Sequence, residues 1–206
     1  MTKPIKLAVL ISGGGTTLQN FLDKIETGEL KASVETVIAS NPKAYGLERA
    51  KSHNIPVHVV RRKDYGSVEE FSHANFDLID RSGADLVCMA GYLKLLRIPE
   101  KYDGRVMNIH PALIPSFCGL NFFGHVVHQA AIDYGVKVSG CTVHFVNSRY
   151  DNGPIIVQRT CAVEDGDTAE TLAARVFREE CIAYPQAIRL FHAGRLRIEG
   201  RRVIVT

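Results

Sequence analysis

The sequence predicts an α/β fold: an open, twisted, mostly parallel sheet with helices on both faces and antiparallel strands toward the C-terminus. Three observations predict it. Short, continuously apolar runs such as IKLAVLI at 5–11 are bounded by glycine, asparagine or proline, as buried parallel strands are. Between them lie segments whose apolar residues recur at helical spacing. The two kinds of segment alternate with short connections, and right-handed crossovers then align the strand C-termini along one edge, where open α/β sheets bind ligands.

Taken in order, 5–11 is the first strand, stopped by Ser12-Gly13-Gly14-Gly15. Thr16 to Glu26 carries Leu18, Phe21, Leu22 and Ile25 on one helical face. Val34 to Ala39 is a second strand, ended by Ser40-Asn41-Pro42, and Gly46 to His53 is a short helix. Val57 to Val60 is a third strand, Val68 to Arg81 a helix, Asp85 to Ala90 a fourth strand and Val106 to Ile109 a fifth. Residues 111–124, rich in Pro, Gly and Phe, read as a loop before a helix at His125 to Tyr134. Lys137 to Asn147 and Pro154 to Val163 form a hairpin-like pair around SRYDNG. Thr168 to His192 is a long amphipathic helix with Asp167-Thr168-Ala169-Glu170 as its capping segment and Pro185 as an expected kink. Arg195 to Val205 is a terminal β-ribbon. With no repeat, low-complexity tract or linker, residues 1–206 read as a single domain, with an N-terminal half of about 1–105 and a C-terminal half of about 106–206.

Composition narrows the function classes. The 46% hydrophobic content can fill a core, and the 23% charged content is ordinary for a globular chain. A net charge of +3 lacks the concentrated basic stripe of a nucleic-acid binder. The tight clusters Arg61-Arg62-Lys63 and Arg195, Arg197, Arg201 and Arg202 read as solvated surface. Five cysteines, an odd number with no CxxC pair, argue against a disulfide framework or a structural zinc site and for a reducing compartment. The N-terminal apolar run is too short for a signal peptide or membrane span, so a soluble cytoplasmic protein is expected.

Two motifs carry candidate chemistry. Ser12-Gly13-Gly14-Gly15-Thr16-Thr17 joins strand to helix. Its glycines let backbone N–H groups approach an anion, the helix start adds partial positive charge, and Thr16 and Thr17 add hydroxyls. That suits a phosphate cradle centred on Gly15, Thr16 and Thr17, although a plain tight turn uses the same residues. It is not a P-loop, lacking Gly-Lys-Ser/Thr, nor a dinucleotide fingerprint, lacking the third glycine and an acidic end to the second strand. The second motif is Asn108-Ile109-His110-Pro111. Residues two apart on a strand share a face, so Asn108 and His110 can together meet a developing oxyanion, and His110 can move protons near neutral pH. A polar strand end is the alternative. Asp151, in the SRYDNGP turn, would raise and orient His110 if it lay beside it; Asp-Asn-Gly also suits a simple Asx turn.

Beyond these readings, the sequence resembles the folate-dependent formyltransferases, and among them the phosphoribosylglycinamide formyltransferases. The likeness spans roughly residues 5 to 200 and is carried by LAVLISGGGTTLQ, IASNPKAYGLERA, DLVCMAGYLKLL, RVMNIHPALIPSF, GVKVSGCTVHFV, YDNGPIIVQ and FREECIAYP. Asn-x-His-Pro with a later Asp-x-Gly-Pro marks the superfamily. The resemblance implies a Rossmann-like formyltransferase fold and transfer of a formyl group from 10-formyltetrahydrofolate, as co-substrate, to the amine of phosphoribosylglycinamide in purine biosynthesis, without a metal. It implies Asn108, His110 and Asp151 as catalytic residues, with His110 charged. Gly15, Thr16 and Thr17 would hold the substrate phosphate and Glu180 the ribose. Leu93, Lys94, Leu95, Leu96 and Asn108 would contact folate. Partners are then small molecules, not nucleic acid or membrane, and the chain a monomer or homodimer.

The sequence departs from the family in three places. Cys118 stands where proline is commoner and Asn121 where histidine is, and the stretch Phe122 to His128 has an atypical length. Thr17 replaces a frequent asparagine, and Val68 falls near a folate-contacting arginine of some members. The runner-up is a formyltetrahydrofolate deformylase, with water as acceptor. It is disfavoured because that family carries an N-terminal regulatory domain and the first strand here begins near residue 5. A non-catalytic binding protein for phosphorylated metabolites is the alternative of a different class.

Overall fold

In a computed structural model, which describes residues 3–206, the chain forms two compact units, 3–107 and 108–206. The first holds β1 (Ile5–Ile11), β2 (Ala32–Ala39), β3 (Val57–Val59) and β4 (Leu86–Met89), with α1 (Thr16–Glu26), α2 (Gly46–Ser52) and α3 (Val68–Ser82). Its strands lie in the order β3-β2-β1-β4 and every pair is parallel. The apolar runs become strands because both faces are covered: all of β1 except Lys6 is buried, as is all of β4. Each Leu, Ile or Val so buried contributes roughly 1.5–3 kcal/mol. The β1–β2 register shifts between Leu7 and Ala8, which leaves Glu35 as an extra residue on β2. The helices α1, α2 and α3 all pack against β2. Ser67 caps α3 by accepting the Glu70 N–H, and Gly83, at φ 67°, ends it.

β5 (Val106–His110) carries the chain from the first unit into the second. The second unit holds α4 (His125–Tyr134), β6 (Val138–Phe145), β7 (Ile155–Ala162), α5 (Ala169–His192), β8 (Leu196–Glu199) and β9 (Arg202–Val205). Here the order is β5-β6-β7-β9-β8. The β6–β7 and β8–β9 pairs are antiparallel, while β9 meets β7 in parallel at the single pair Ile155–Arg202. α5 packs on β6 and β7, and α4 packs on α5. Thr168 and Thr171 close a reciprocal capping box at the start of α5. Asp167 there pairs with Arg175 at 2.5 and 3.0 Å. The Arg175 hydrogen bonds hold the Asp167 carboxyl well below the ordinary carboxylate range. α5 is continuous from Ala169 to His192, and Pro185 lies inside it without ending it.

Among the described residues no helix is long and apolar enough to cross a membrane. Cys118, Cys141 and Cys161 are free thiols.

Candidate active site

The polar cluster in the second unit is built on β5, on the loop that follows it, and on the β6–β7 connection. His110 is the last residue of β5, 4% exposed, and Asn108 is half-buried two residues before it. The hairpin brings in the third group. At Gly153 an added Cβ would sit 1.7 Å from the Phe145 carbonyl oxygen, so only glycine lets the turn close against the end of β6. The closed turn holds Asp151 at φ 47°, a left-handed conformation that Asp and Asn tolerate better than most residues.

Asp151 thereby becomes the hub. Its Oδ1 accepts from Asn108 Nδ2 at 3.3 Å and lies 3.7 Å from His144 Nε2. Its Oδ2 accepts the Gly119 N–H at 2.9 Å and lies 3.4 Å from His110 Nδ1. Asn108 Nδ2 also sits 3.3 Å from His144 Nε2. The other nitrogen of each imidazole faces a backbone carbonyl: His110 Nε2 faces Phe117 at 2.9 Å, and His144 Nδ1 faces Phe145 at 2.8 Å. A carbonyl only accepts, so these nitrogens carry hydrogen. Asn108 Nδ2 thus faces two groups inside the protein, Asp151 Oδ1 and His144 Nε2, and the outer N–H of His110 faces the Phe117 carbonyl.

The loop that supplies Phe117 and Gly119 is anchored from β6 and β7. Buried Thr142 donates to the Ala112 carbonyl at 2.7 Å and accepts the Ile114 N–H at 3.1 Å. Gln158 Nε2 donates to the Ile114 carbonyl and to Thr142 Oγ1 at 3.1 and 3.0 Å. These bonds satisfy the buried backbone of 112–114 immediately after His110.

The protonation of His110 departs from the expectation of a charged ring. Burial pulls its pKa below the ordinary value, and the upward pull of Asp151 and of the Phe117 carbonyl does not offset it; His144 lowers it further. Burial raises Asp151 too, but contacts with His144, His110 and the Gly119 N–H outweigh it and leave that carboxyl lowered. The free protein therefore pairs a carboxylate with a predominantly neutral imidazole. The 3.4 Å separation fits this, since a charge-assisted bond would close to roughly 2.7–2.9 Å. Such a pair can take up a proton at His110 Nδ1 when negative charge develops at a substrate.

The other residues singled out in the sequence are placed as follows. In the first unit, Gly15 stands at φ 70° before α1, and no side chain caps that helix start. An added Cβ at Gly15 would lie 2.6 Å from Gly46 Cα, so the loop is pressed against α2; Gly13 and Gly14 have open space. Arg49 of α2 donates to the Gly14 carbonyl at 3.0 Å and to Gln19 at 2.8 Å. This sets a guanidinium beside the glycine loop that the sequence reading does not foresee. Leu93 and Lys94 are exposed, Leu95 is half-buried, and Leu96 is in the core at 1%. Val68 opens α3 and is half-buried. In the second unit, Glu180 on α5 is half-buried, and burial pushes its carboxyl up to about 7, which sets it apart from an ordinary solvated helix carboxylate. Burial foremost, with Glu180 beside it, raises the Cys141 thiol to about 12.

His144, the Phe117 carbonyl and the Gly119 N–H are the participants missed in the sequence. A lone histidine inside the apolar run Cys-Thr-Val-His-Phe is the one signal that points to any of them, since a buried imidazole needs partners.

A mostly parallel sheet with an Asn-x-His strand end and a hairpin carboxylate defines a class. The chain belongs to the formyl transferase family, whose model matches residues 5–188. More particularly, it is 39% identical over 196 residues to the phosphoribosylglycinamide formyltransferase of Haemophilus influenzae, covering 94% of this chain and 90% of that one. It is also 38% identical over 199 residues to the trifunctional purine biosynthetic protein adenosine-3 of Gallus gallus, covering 96% of this chain but spanning only 19% of that protein. The crystal structure of glycinamide ribonucleotide transformylase 1 from Symbiobacterium toebii superposes with a TM-score of 0.92 at 44% identity, over 100% of this chain and 95% of that one. A formyltetrahydrofolate deformylase from Burkholderia mallei superposes at 0.84 with 28% identity, over 98% of this chain and 70% of that one.

Proposed function

We propose that this chain transfers the formyl group of 10-formyltetrahydrofolate to the amine of phosphoribosylglycinamide, the step of purine biosynthesis that its family relatives catalyse. The observation that carries the reading is the convergence of Asn108, His110 and Asp151, with the carboxylate 3.3 and 3.4 Å from the other two. Similarity over almost the full length of stand-alone phosphoribosylglycinamide formyltransferases favours the amine as acceptor over water.

In this reading the neutral amine attacks the formyl carbon. A C–N bond forms, the carbonyl oxygen becomes an oxyanion, and the bond from the formyl carbon to the folate nitrogen then breaks. The amine loses one proton and the folate nitrogen gains one. Asn108 Nδ2 and His110 Nε2 donate to the oxyanion, taking it in place of their internal partners. His110 takes the proton lost by the amine as that charge develops and returns it to the folate nitrogen as the bond to folate breaks, while Asp151 stabilises the imidazolium and fixes its orientation. His144 positions Asn108 and Asp151. Gly15, Thr16 and Thr17 hold the substrate phosphate with the uncapped N–H groups of α1, and Glu180 contacts the ribose. Leu93, Lys94, Leu95 and Leu96 belong to the folate-binding segment, Leu96 through its backbone and packing since its side chain is buried. The single-domain organisation, with a phosphate-binding N-terminal half and a catalytic C-terminal half, is part of the same proposal, as is a cytoplasmic location.

The test is release of tetrahydrofolate with and without phosphoribosylglycinamide. Release that requires the amine establishes the reaction. Release at the same rate without it makes water the acceptor and replaces this reading with the deformylase.

A further inference from the structure

Arg49 belongs to α2, yet all its polar contacts are with the glycine loop and the first turns of α1. Its Nε donates to the Gly14 carbonyl at 3.0 Å, and its Nη1 donates to Gln19 Oε1 at 2.8 Å. The guanidinium lies 5.1 Å from the centroid of the exposed Tyr45 ring. A Cβ added to Gly15 would meet Arg49 Cδ at 3.6 Å, so the side chain runs beside the start of α1. Each of these partners is neutral. Gln19 donates onward to Asp23, but among the described residues no carboxylate pairs with Arg49 itself. Half-buried Arg159 and Arg175 differ: the first meets Glu179 at 2.6 Å and the second Asp167 at 2.5 Å.

That charge stands where the protein's own field opposes it. A helix start carries partial positive charge, and α1 has neither an acidic residue in its first turn nor a side-chain cap. A cation beside it is repelled until an anion joins the two. A guanidinium has five N–H groups, and the two bonds to protein use two of them, so the others remain to donate. The bond to Gly14 has a second effect. A loop that turns its N–H groups toward an anion must turn its carbonyls away and satisfy them elsewhere. α2 does this twice: the Gly46 N–H donates to the Gly13 carbonyl at 3.2 Å, and Arg49 holds the Gly14 carbonyl.

We propose that Arg49 is a positioning and specificity residue for the anionic end of the amine substrate: it keeps the Gly14 carbonyl turned away from the site and supplies the counter-charge that selects a phosphate there. The inference rests on the phosphate-holding role given to Gly15, Thr16 and Thr17 in the proposed function. It puts the charge on α2, outside the loop whose N–H groups bind. Gln19 belongs to the same device, because it orients the guanidinium without cancelling its charge. Lysine is not an equivalent residue, since a compact ammonium lacks the planar fork that spans the Gly14 carbonyl and Gln19 together.

Calorimetric titration of the whole chain with ribose 5-phosphate, beside steady-state kinetics with phosphoribosylglycinamide, tests this. Arg49→Met should weaken ribose 5-phosphate by about tenfold or more and raise the Michaelis constant of the amine substrate by a similar factor, with the loss falling on binding and not on kcat. Arg49→Lys should recover only part of that loss. Gln19→Glu separates charge from support. It keeps an acceptor for Arg49 and strengthens that bond, so a purely structural clamp would be tightened; it also neutralises the guanidinium, so ribose 5-phosphate should weaken by about fivefold or more. If Arg49→Met does not fold, Gln19→Glu carries the test. Unchanged binding in a folded Arg49→Met, unchanged or tighter binding in Gln19→Glu, or a loss confined to kcat overturns the proposal. A wild-type chain that binds ribose 5-phosphate through Arg49 but transfers no formyl group would sink the proposed function and leave this inference standing. An active wild type whose kinetics and binding survive both substitutions does the reverse.

Discussion

Replacing Asp151 with asparagine isolates the hub charge while keeping its shape. Asparagine tolerates the left-handed backbone at φ 47° and can still accept the Gly119 N–H, so the turn should survive where alanine would add strain. What disappears is the negative charge 3.4 Å from His110 Nδ1. At an effective dielectric constant near 20 that charge attracts an imidazolium by roughly 5 kcal/mol, an upper bound on what the transition state loses. Since each 1.4 kcal/mol is a factor of ten, turnover should fall by about 10² to 10³. The Michaelis constant for the amine substrate should move far less, because the ground state holds a neutral imidazole. The variant should also shift the His110 limb of the pH–rate profile to lower pH, since removing Asp151 removes the main upward pull on that ring. Steady-state tetrahydrofolate release from pH 5 to 9 reads both. Turnover within fivefold of wild type and an unmoved profile would mean that the carboxylate is only a turn residue and that the proton-uptake argument is wrong.

Four further outcomes are expected. His110→Ala should cut turnover on the order of 10² or more in the same assay, measured on protein shown to be folded; near-normal turnover would remove His110 from the mechanism. Glu180 has a folded pKa raised from 4.5 to about 7, so the stability it contributes is intact at pH below 4.5 and is lost as pH rises through 7. Glu180→Gln should therefore match wild type in thermal unfolding at low pH and exceed it at pH 8 by at most about 3 kcal/mol, whereas a lower stability at pH 8 would contradict the raised pKa. Gly15→Ala must place a Cβ 2.6 Å from Gly46 Cα in a left-handed conformation, and should cost roughly 2–4 kcal/mol in denaturant unfolding; a change under 0.5 kcal/mol would show that the two backbones are not in contact. Gly153→Ala, aimed at the Phe145 carbonyl, should destabilise the hairpin and lower turnover together, and a folded variant with full activity would refute the account of how Asp151 is held.

The elements legible in the sequence were those with sharp punctuation. β1, α1 and α4 begin and end at the residues read from the glycines and prolines around them. β2 starts two residues earlier than its apolar run, because Ala32 and Ser33 pair with Ile5 and Lys6 although nothing in their chemistry marks a strand. β5 runs one residue further than its expected range and includes His110 as its last residue, in keeping with the strand-end reading of that ring. Asn108 and His110 were visible because period-two spacing is local. Their meeting with Asp151 was not, because it depends on the β6–β7 register and its shift at His144, both properties of a pairing and not of a segment. The balance of influences on His110 was hidden for a related reason: the sequence names the neighbour that raises its pKa but not the burial that lowers it.

All the groups proposed to handle protons, with the carbonyl and amide that hold them, come from one continuous stretch from Asn108 to Asp151, 43 positions apart. The glycine loop and Arg49 lie outside that stretch. Under the proposed function, the proton-handling groups would therefore form one contiguous block of sequence, and substitutions in the glycine loop or beside Arg49 would alter the acceptor's surroundings without touching that block.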